Sequence, residues 1–415
     1  MTGRPIAVLV DAYHTGNLLP PAFAALGVDV VHVRSTATPL TTMTPPDPGR
    51  YVADLVCADP GATATELAGY RPIAVLAGQE PGVRLADALA ERLGLARNDP
   101  GRSAARRDKY EMAQALRRAG VRHAEQFRCA DQEDAVAWAR RRAGHPVVVK
   151  PLAGSGSVGV EICTGDEQVR KAAEAVLGSA TMYGETNTEV LVQSYLDGPE
   201  YAVDMVSCGG KRYLGGVWLT HKHRAGTHLV YDHKTLLASD EPPVPDLTSY
   251  VDSVLDALGI RFGPAHAEVI LTPAGPTLVE VGARLSGSEH PTFHDLATGR
   301  NQADLTALAY CRPHEFPTGR TYTRRRAAAV HYGATDLSGT VRSVDHAVLD
   351  EIRAMDTVHD VHLKYREGDH LRPTVDLTTS TVKVFLAGED PDALRRDRRD
   401  LLRLQRHVYR LDPDA

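Results

Sequence analysis

The chain is 415 residues long, 43% hydrophobic and 24% charged, with a formal net charge of −6. That length exceeds one hydrophobic core and predicts about three domains, while the charge balance excludes the basic footprint of a nucleic-acid binder. The start MTGRPIAVLVDAYHTGN has only a short apolar run before Asp11, and no run elsewhere is long enough to span a membrane, so a cytoplasmic protein without a membrane partner is expected. Five scattered cysteines without a CxxC argue against a disulfide framework or a thiolate metal site.

Residues 6–10 (IAVLV), 28–33 (VDVVHV) and 73–77 (IAVLA) read as strands, with helices predicted over 18–26 and 83–93. This is a βαβ opening, and the proline- and threonine-rich stretch 36–50 reads as a surface loop within it. Ligands of open parallel sheets gather at the carboxyl ends of the strands, which marks residues 11–16 and Glu80. Glu80 suits the capping of its following helix equally well. Residues 98–107 lack apolar periodicity and close the first unit.

Lys109 opens a helix with Met112, Ala115, Leu116 and Ala119 on one face and Gly120 as its stop. A short strand over 126–128 and a helix over 132–142 lead into HPVVVKPLAGSGSVGV, residues 145–160. There a β-branched run ends at Lys150, and Gly154, Ser155, Gly156, Ser157 and Gly159 follow as a loop whose small side chains let backbone N–H groups approach an anion. The lysine precedes the glycines and residues 158–163 alternate like a strand, so this is a hairpin rather than a P-loop, although an ordinary glycine turn fits too. After a helix over 166–177, strands are expected over 189–195, 201–207 and 213–220. Residues 220–234 (THKHRAGTHLVYDHK) are polar and aperiodic and read as a mobile loop, either a lid carrying Lys222, His223 and Arg224 or a plain solvated loop. The histidines of that stretch show no recurring ligand spacing.

A helix over 247–258 precedes two strands, 265–271 (AHAEVIL) and 277–281 (TLVEV), joined by a turn. Their antiparallel pairing about a centre near 274 sets Glu268 opposite Glu280, and opposed carboxylates in apolar surroundings need a cation between them. Magnesium suits oxygen ligands where phosphate is bound, while salt bridges to Arg284 and Lys222 are the alternative. His266 shares the face of Glu268 and serves either a substrate carboxylate or a buried hydrogen bond.

Lys109, the Lys150 glycine loop, EVLVQSYLDGPE and AHAEVILTPAGPTLVEVGARLSG occur in the order and spacing of the ATP-grasp ligases, which this chain resembles from Lys109 to near Cys311. The resemblance implies an α/β ATP-grasp fold with a Rossmann-like pre-grasp domain over 1–98, a grasp region over 99–320 with its lid subdomain at about 124–195, and a small β-rich cap domain over 321–415. It implies ATP and magnesium, which manganese can replace, as cofactors. Lys109 and Lys150 would contact phosphates, Gln193, Ser194 and Leu196 the adenine, Glu200 the ribose, and Glu268 and Glu280 the metal. Arg284 would stabilise the acyl-phosphate, with Lys222 and His266 assisting. Gln193 departs from the acid common at its position, and Gly282 from the asparagine that serves many members as a third metal ligand.

EVGARLSG and AGQEPGVRLADAL look most like the L-amino-acid ligases, so amide formation between amino acids is expected, with Glu80, Arg284, Ser286 and Gly287 at the substrate and a homodimer possible. Other acceptors, bicarbonate or a sugar amine, and a nucleotide-binding protein without turnover are the alternatives. The segments 338–344, 358–369 and 380–390 resemble the cap domain of those ligases, and residues 394–411 read as one terminal helix with Leu394, Leu401, Leu404, Val408 and Leu411 in a stripe.

Overall fold

A computed structural model describes residues 3–412 apart from Ser155 and Met182. The expected phosphate contact of Ser155 therefore lies outside the described residues. Strands Ala53–Val56, Asp29–Arg34, Ile6–Val10 and Pro72–Ala77 form, in that order, a parallel sheet. Val8, Val10, Val31 and Val75 pack on one face and Ala7, Leu9, Val30 and Leu76 on the other, so the sheet is covered on both sides, as parallel sheets are. The strand Ala53–Val56 and the helix Pro60–Ala68 were not expected from the sequence. That helix begins where Asp59 accepts the Ala62 N–H at 2.8 Å and Pro60 takes the first helical position. At the carboxyl edge of the sheet the chain turns crowd together: a Cβ on Gly78 would lie 2.4 Å from the Ala12 Cα, so only glycine lets the turns before His14 and Glu80 meet.

A second, antiparallel sheet runs Gln126–Cys129, Val190–Ser194, Val147–Pro151, Glu161–Cys163 and is backed by helices Gln132–Trp138 and Asp166–Val176. Val147–Val149 pairs with Glu161–Cys163 across the glycine loop, the hairpin anticipated from the residue pattern. Facing it is an eight-stranded antiparallel sheet in the order Gly275–Gly282, Gly263–Thr272, Glu200–Cys208, Lys211–Ala225, His228–Leu236, Ala327–Tyr332, Val382–Gly388, Val358–Leu363. Its last three strands follow residue 320, so one sheet joins the grasp region to the C-terminal segment.

Two expectations are corrected. Residues 220–234 are not a loop but the upper part of a long hairpin, Lys211–Ala225 with His228–Leu236, whose period-2 pattern is broken by a bulge between His221 and Lys222. The terminal helix Pro391–Leu404 stops short, and Tyr409–Asp412 is a strand paired with Gly339–Val344.

Arg106 ties the helix after the parallel sheet to the helix before the Glu268 hairpin. Its guanidinium, fully buried, pairs with Asp87 of helix Val83–Arg92 and donates to the Leu258 carbonyl at 2.9 Å, beyond the end of helix Val244–Ala257. Ser103 adds a hydrogen bond to the same Asp87 oxygen at 2.6 Å. The C-terminal segment also touches the glycine loop, where the Leu377 N–H donates to the Gly156 carbonyl at 3.1 Å.

Candidate functional site

Between the two antiparallel sheets lies a cavity of about 450 Å³. One end is apolar, walled by Val148, Ile162, Leu196, Leu229 and Ile270. Gln193 and Tyr195 also line it, the Gln193 carboxamide held by Gln126 at 2.9 Å. Ser194 is turned away: its N–H and its hydroxyl both donate to the Glu125 carbonyl, at 2.9 and 3.4 Å, which corrects its expected place at this end. Tyr195, which stands there instead, was overlooked.

The other end is charged. Lys150, at the end of its strand, is buried, and burial followed by the charge of Lys109 lowers its pKa to about 8. Lys109 starts a helix capped by Asp108, donates to the Gly154 carbonyl at 3.1 Å, and pairs with Glu280 at 2.5 Å. Gly156, Ser157 and Gly159 all have positive φ, which curls the loop over the cavity. Glu200 pairs with Lys222 at 2.7 Å, and the ammonium lies 4.1 Å from the centre of the Tyr231 ring.

Glu268 and Glu280 face each other across their ladder, as expected from the sequence. A bulge between Glu268 and Val269 produces this pairing: nearer the turn Val269 pairs with Leu278, and without the extra residue Glu268 would oppose Val279. Behind Glu268 stands His266, its Nδ1 2.6 Å from Asp204 and its Nε2 3.6 Å from Glu268. Burial lowers the imidazole's affinity for a proton, but Asp204 outweighs it and the pKa rises. Burial likewise disfavours the Glu268 anion, yet His266, Lys222 and Lys234 hold it far below the ordinary carboxylate range. His266 is therefore a support for the carboxylate rather than a residue facing a substrate.

Beyond Glu280 the cavity continues into a small space lined by Glu80, Arg107, Lys109, Gly154, Gly282 and Arg284. Glu80 lies 3.5 Å from the Arg284 Nε, and burial raises its carboxyl pKa against the opposing charge of Arg284. Glu80 thus already has a cationic partner. It also accounts for the departure at Gly282: a Cβ there would lie 3.0 Å from Glu80 Oε2 and 3.2 Å from the Arg284 guanidinium, so the acid occupies the space an asparagine would need. Arg107 was missed because it sits in the aperiodic connection; its guanidinium borders this space, with Nη2 3.6 Å from Glu185, and its buried Nε has no hydrogen-bond partner among the described residues. Ser286 is tied by its N–H to Gln302 at 2.9 Å, and the Gly287 carbonyl accepts from Lys383 at 3.0 Å. Asp11 is absorbed by the Ser35 N–H at 2.9 Å, while His14 is exposed.

The donor set fits a magnesium nucleotide. Two opposed carboxylates offer oxygen ligands alone, the lysines around them suit phosphates, and the apolar end suits a flat base. Fold and site together define a nucleotide-dependent phosphoryl-transfer cleft held between two β-layers. The ATP-grasp domain family matches residues 143–292. Dapdiamide A synthase of Enterobacter agglomerans is 30% identical over 99% of this chain and 98% of its own length. Among solved structures, the L-amino acid ligase of Bacillus licheniformis aligns over 100% of both chains with a TM-score of 0.75 at 18% identity. The N5-carboxyaminoimidazole ribonucleotide synthetase of Thermotoga maritima aligns over 99% of this chain and 100% of its own, with a TM-score of 0.67 at 18% identity. The chain belongs to the ATP-grasp ligases. Among the described residues no helix is long and apolar enough to cross a membrane.

Proposed function

We propose that this protein is an ATP-dependent ligase that joins the carboxylate of one substrate to the amine of an amino acid, releasing ADP and phosphate. The observation that carries this reading is the facing pair Glu268 and Glu280, set with Lys109, Lys150 and Arg284 around one cavity. The full-length relative dapdiamide A synthase supports amide formation as the reaction.

Lys150 and Lys109 hold the phosphates, with Lys109 passing from Glu280 to a phosphate oxygen as the nucleotide enters. Glu268 and Glu280 would hold magnesium, or manganese in its place; the ion supplies positive charge to the triphosphate. Glu200, held by Lys222, faces the ribose, and Gln193 and Leu196 face the base. A donor carboxylate oxygen attacks the γ-phosphorus as the bond to the bridging β,γ oxygen breaks, giving ADP and an acyl-phosphate. The amine then attacks the acyl carbon, loses a proton, and the bond from that carbon to the phosphate oxygen breaks. Arg284 and Arg107 offset the charge that gathers on the moving phosphoryl group. The glycine loop, bonded to the C-terminal segment, keeps water from the acyl-phosphate. A homodimer suits a chain of this kind.

Release of ADP by the full chain, with magnesium and a pool of the L-amino acids against bicarbonate, tests the reading. Amino-acid-dependent ADP release with a dipeptide in the mass spectrum is expected. Release that needs only bicarbonate, or none above background, would overturn it.

The Lys150 ammonium gives a second expectation. With its pKa lowered to about 8, free Lys150 is mostly neutral at about pH 8.5, and an adjacent triphosphate draws the proton back. Nucleotide binding should therefore take up a substantial fraction of a proton at that pH and little at about pH 6.5, where Lys150 is already charged. Calorimetry in buffers of different ionisation enthalpy measures the uptake. Uptake that persists unchanged in Lys150→Met would assign it elsewhere.

A further inference from the structure

Three bonds fasten the loop after Arg284 to the C-terminal sheet. Lys383 donates to the Gly287 carbonyl at 3.0 Å, the Ser288 and Tyr332 hydroxyls meet at 2.7 Å, and His290 meets Asp360 at 2.9 Å. Lys383 lies opposite His362 in the ladder, and the Lys364 N–H donates to the Thr381 carbonyl. His362 and Lys383 therefore share the face of the sheet that meets Gly287, and Lys364 follows the strand end with its N–H still bonded in register. From the first domain His14, in left-handed backbone with φ 49°, brings its ring to the Gly287 backbone. A side chain at Gly287 would meet nothing within 4 Å, so the space beside this backbone is open.

The acid on this face, Asp360, is taken up by His290 and His362, which leaves the two lysines. Neither Lys364 nor Lys383 has an ion-pair partner among the described residues, and Asp376 acts on Lys364 only at longer range. Burial, then Lys364 and Lys234, lowers the Lys383 pKa to about 7. His14 is open to solvent but ringed by protein, and burial, then Lys383 and Lys364, lowers it to about 4. Burial is the first cause of both shifts, and two lysines that share a face without an ion-pair partner favour an anion between them. The neighbouring His290, Asp360 and His362 place three ligand atoms within 4.8 Å of one another. Their Asp360 oxygen already accepts from both rings, and Lys383 beside them disfavours a second cation.

Resting on the ligase reading, we propose that His14, Lys364 and Lys383 bind the α-carboxylate of the amine-bearing amino acid. Arg284 lies between the two halves of the reaction: Glu80 and Gly282 flank it on the phosphate side, and its charge reaches His14 on the other. The donor carboxylate is consumed at the phosphate side. The acceptor keeps its carboxylate through the reaction and needs a cationic site beyond the acyl group, where these residues stand. The site makes the enzyme choose α-amino acids over simple amines.

The test uses the full chain and the L-amino acid pair with the highest turnover, the acceptor being the one whose α-carboxylate survives in the product. Its α-amide is the comparison substrate. The wild type should show a KM at least about tenfold lower for the acid than for the amide, the worth of one charge-assisted contact. Lys383→Gln and Lys364→Gln should each raise the acid KM about tenfold and leave the KM of the amide, the donor and ATP unchanged. Lys364 is exposed, so its variant keeps the test valid if Lys383→Gln does not fold. An acid-to-amide ratio that is the same in wild type and variants would overturn the assignment while leaving the ligase reading intact. No amino-acid-dependent ADP release from the wild type would overturn both.

Discussion

Replacing Glu268 or Glu280 with glutamine is expected to lower ATP turnover by about a thousandfold or more, some 4 kcal/mol of transition-state stabilisation. Each change removes one anionic oxygen ligand with almost no change in volume. Glu268→Gln also leaves the charges of His266, Lys222 and Lys234 facing a neutral amide, so the defect should not be rescued by raising magnesium. Glu280→Gln removes the partner of Lys109 and should weaken metal binding more than nucleotide binding. Both variants should keep the wild-type circular dichroism, since both side chains border a cavity rather than fill the core. ADP release at saturating magnesium above a tenth of the wild-type rate, in either variant, would remove that residue from the metal site.

The second large effect is on stability. Arg106→Met should lower the stability of the folded chain by about 3–5 kcal/mol, because it strands Asp87 in the interior without its cation. Asp87 would keep only the Ser103 hydroxyl, and the Leu258 carbonyl would lose a charged donor. Adding Asp87→Leu to Arg106→Met should recover most of the loss, since an apolar pair has no uncompensated charge to bury. Urea titration of the two variants decides this: equal midpoints would show that the ion pair is not what ties the two helices together.

The readable parts of the sequence were those where a local pattern decides the structure. Lys150 follows an uninterrupted β-branched run, and the glycines after it sit in a hairpin, as alternation at residues 158–163 implied. The opposition of Glu268 and Glu280 was legible from arithmetic on residue numbers, although the arithmetic succeeds only because a bulge adds one residue to one strand. What stayed hidden has a common cause. The outer part of strand Lys211–Ala225, from residue 220, reads as a loop because it lines a charged cavity and the bulge at His221 interrupts its alternation. Arg107 belongs to no periodic segment, and its neighbours Glu80, Glu280 and Arg284 come from remote parts of the chain. His14, Lys364 and Lys383 come from the turn after the first strand, from the end of strand Val358–Leu363 and from strand Val382–Gly388. Single-chain periodicity carries no information about such meetings, since they arise from packing between elements.

The approach of Glu80 to Gly282 bears on how such enzymes can be recombined. An acid at position 80 and a missing side chain at position 282 are matched across distant parts of the chain, because the carboxylate lies where a side chain at 282 would begin. A chimera that keeps this first domain but borrows a hairpin with asparagine at 282 would press two side chains into one space and push Arg284 aside. Exchange in the other direction would leave a hole beside Glu280, with Arg284 lacking its anion. The segment that carries Glu80 is thus no interchangeable cassette, and a working exchange would have to move residues 80 and 282 together.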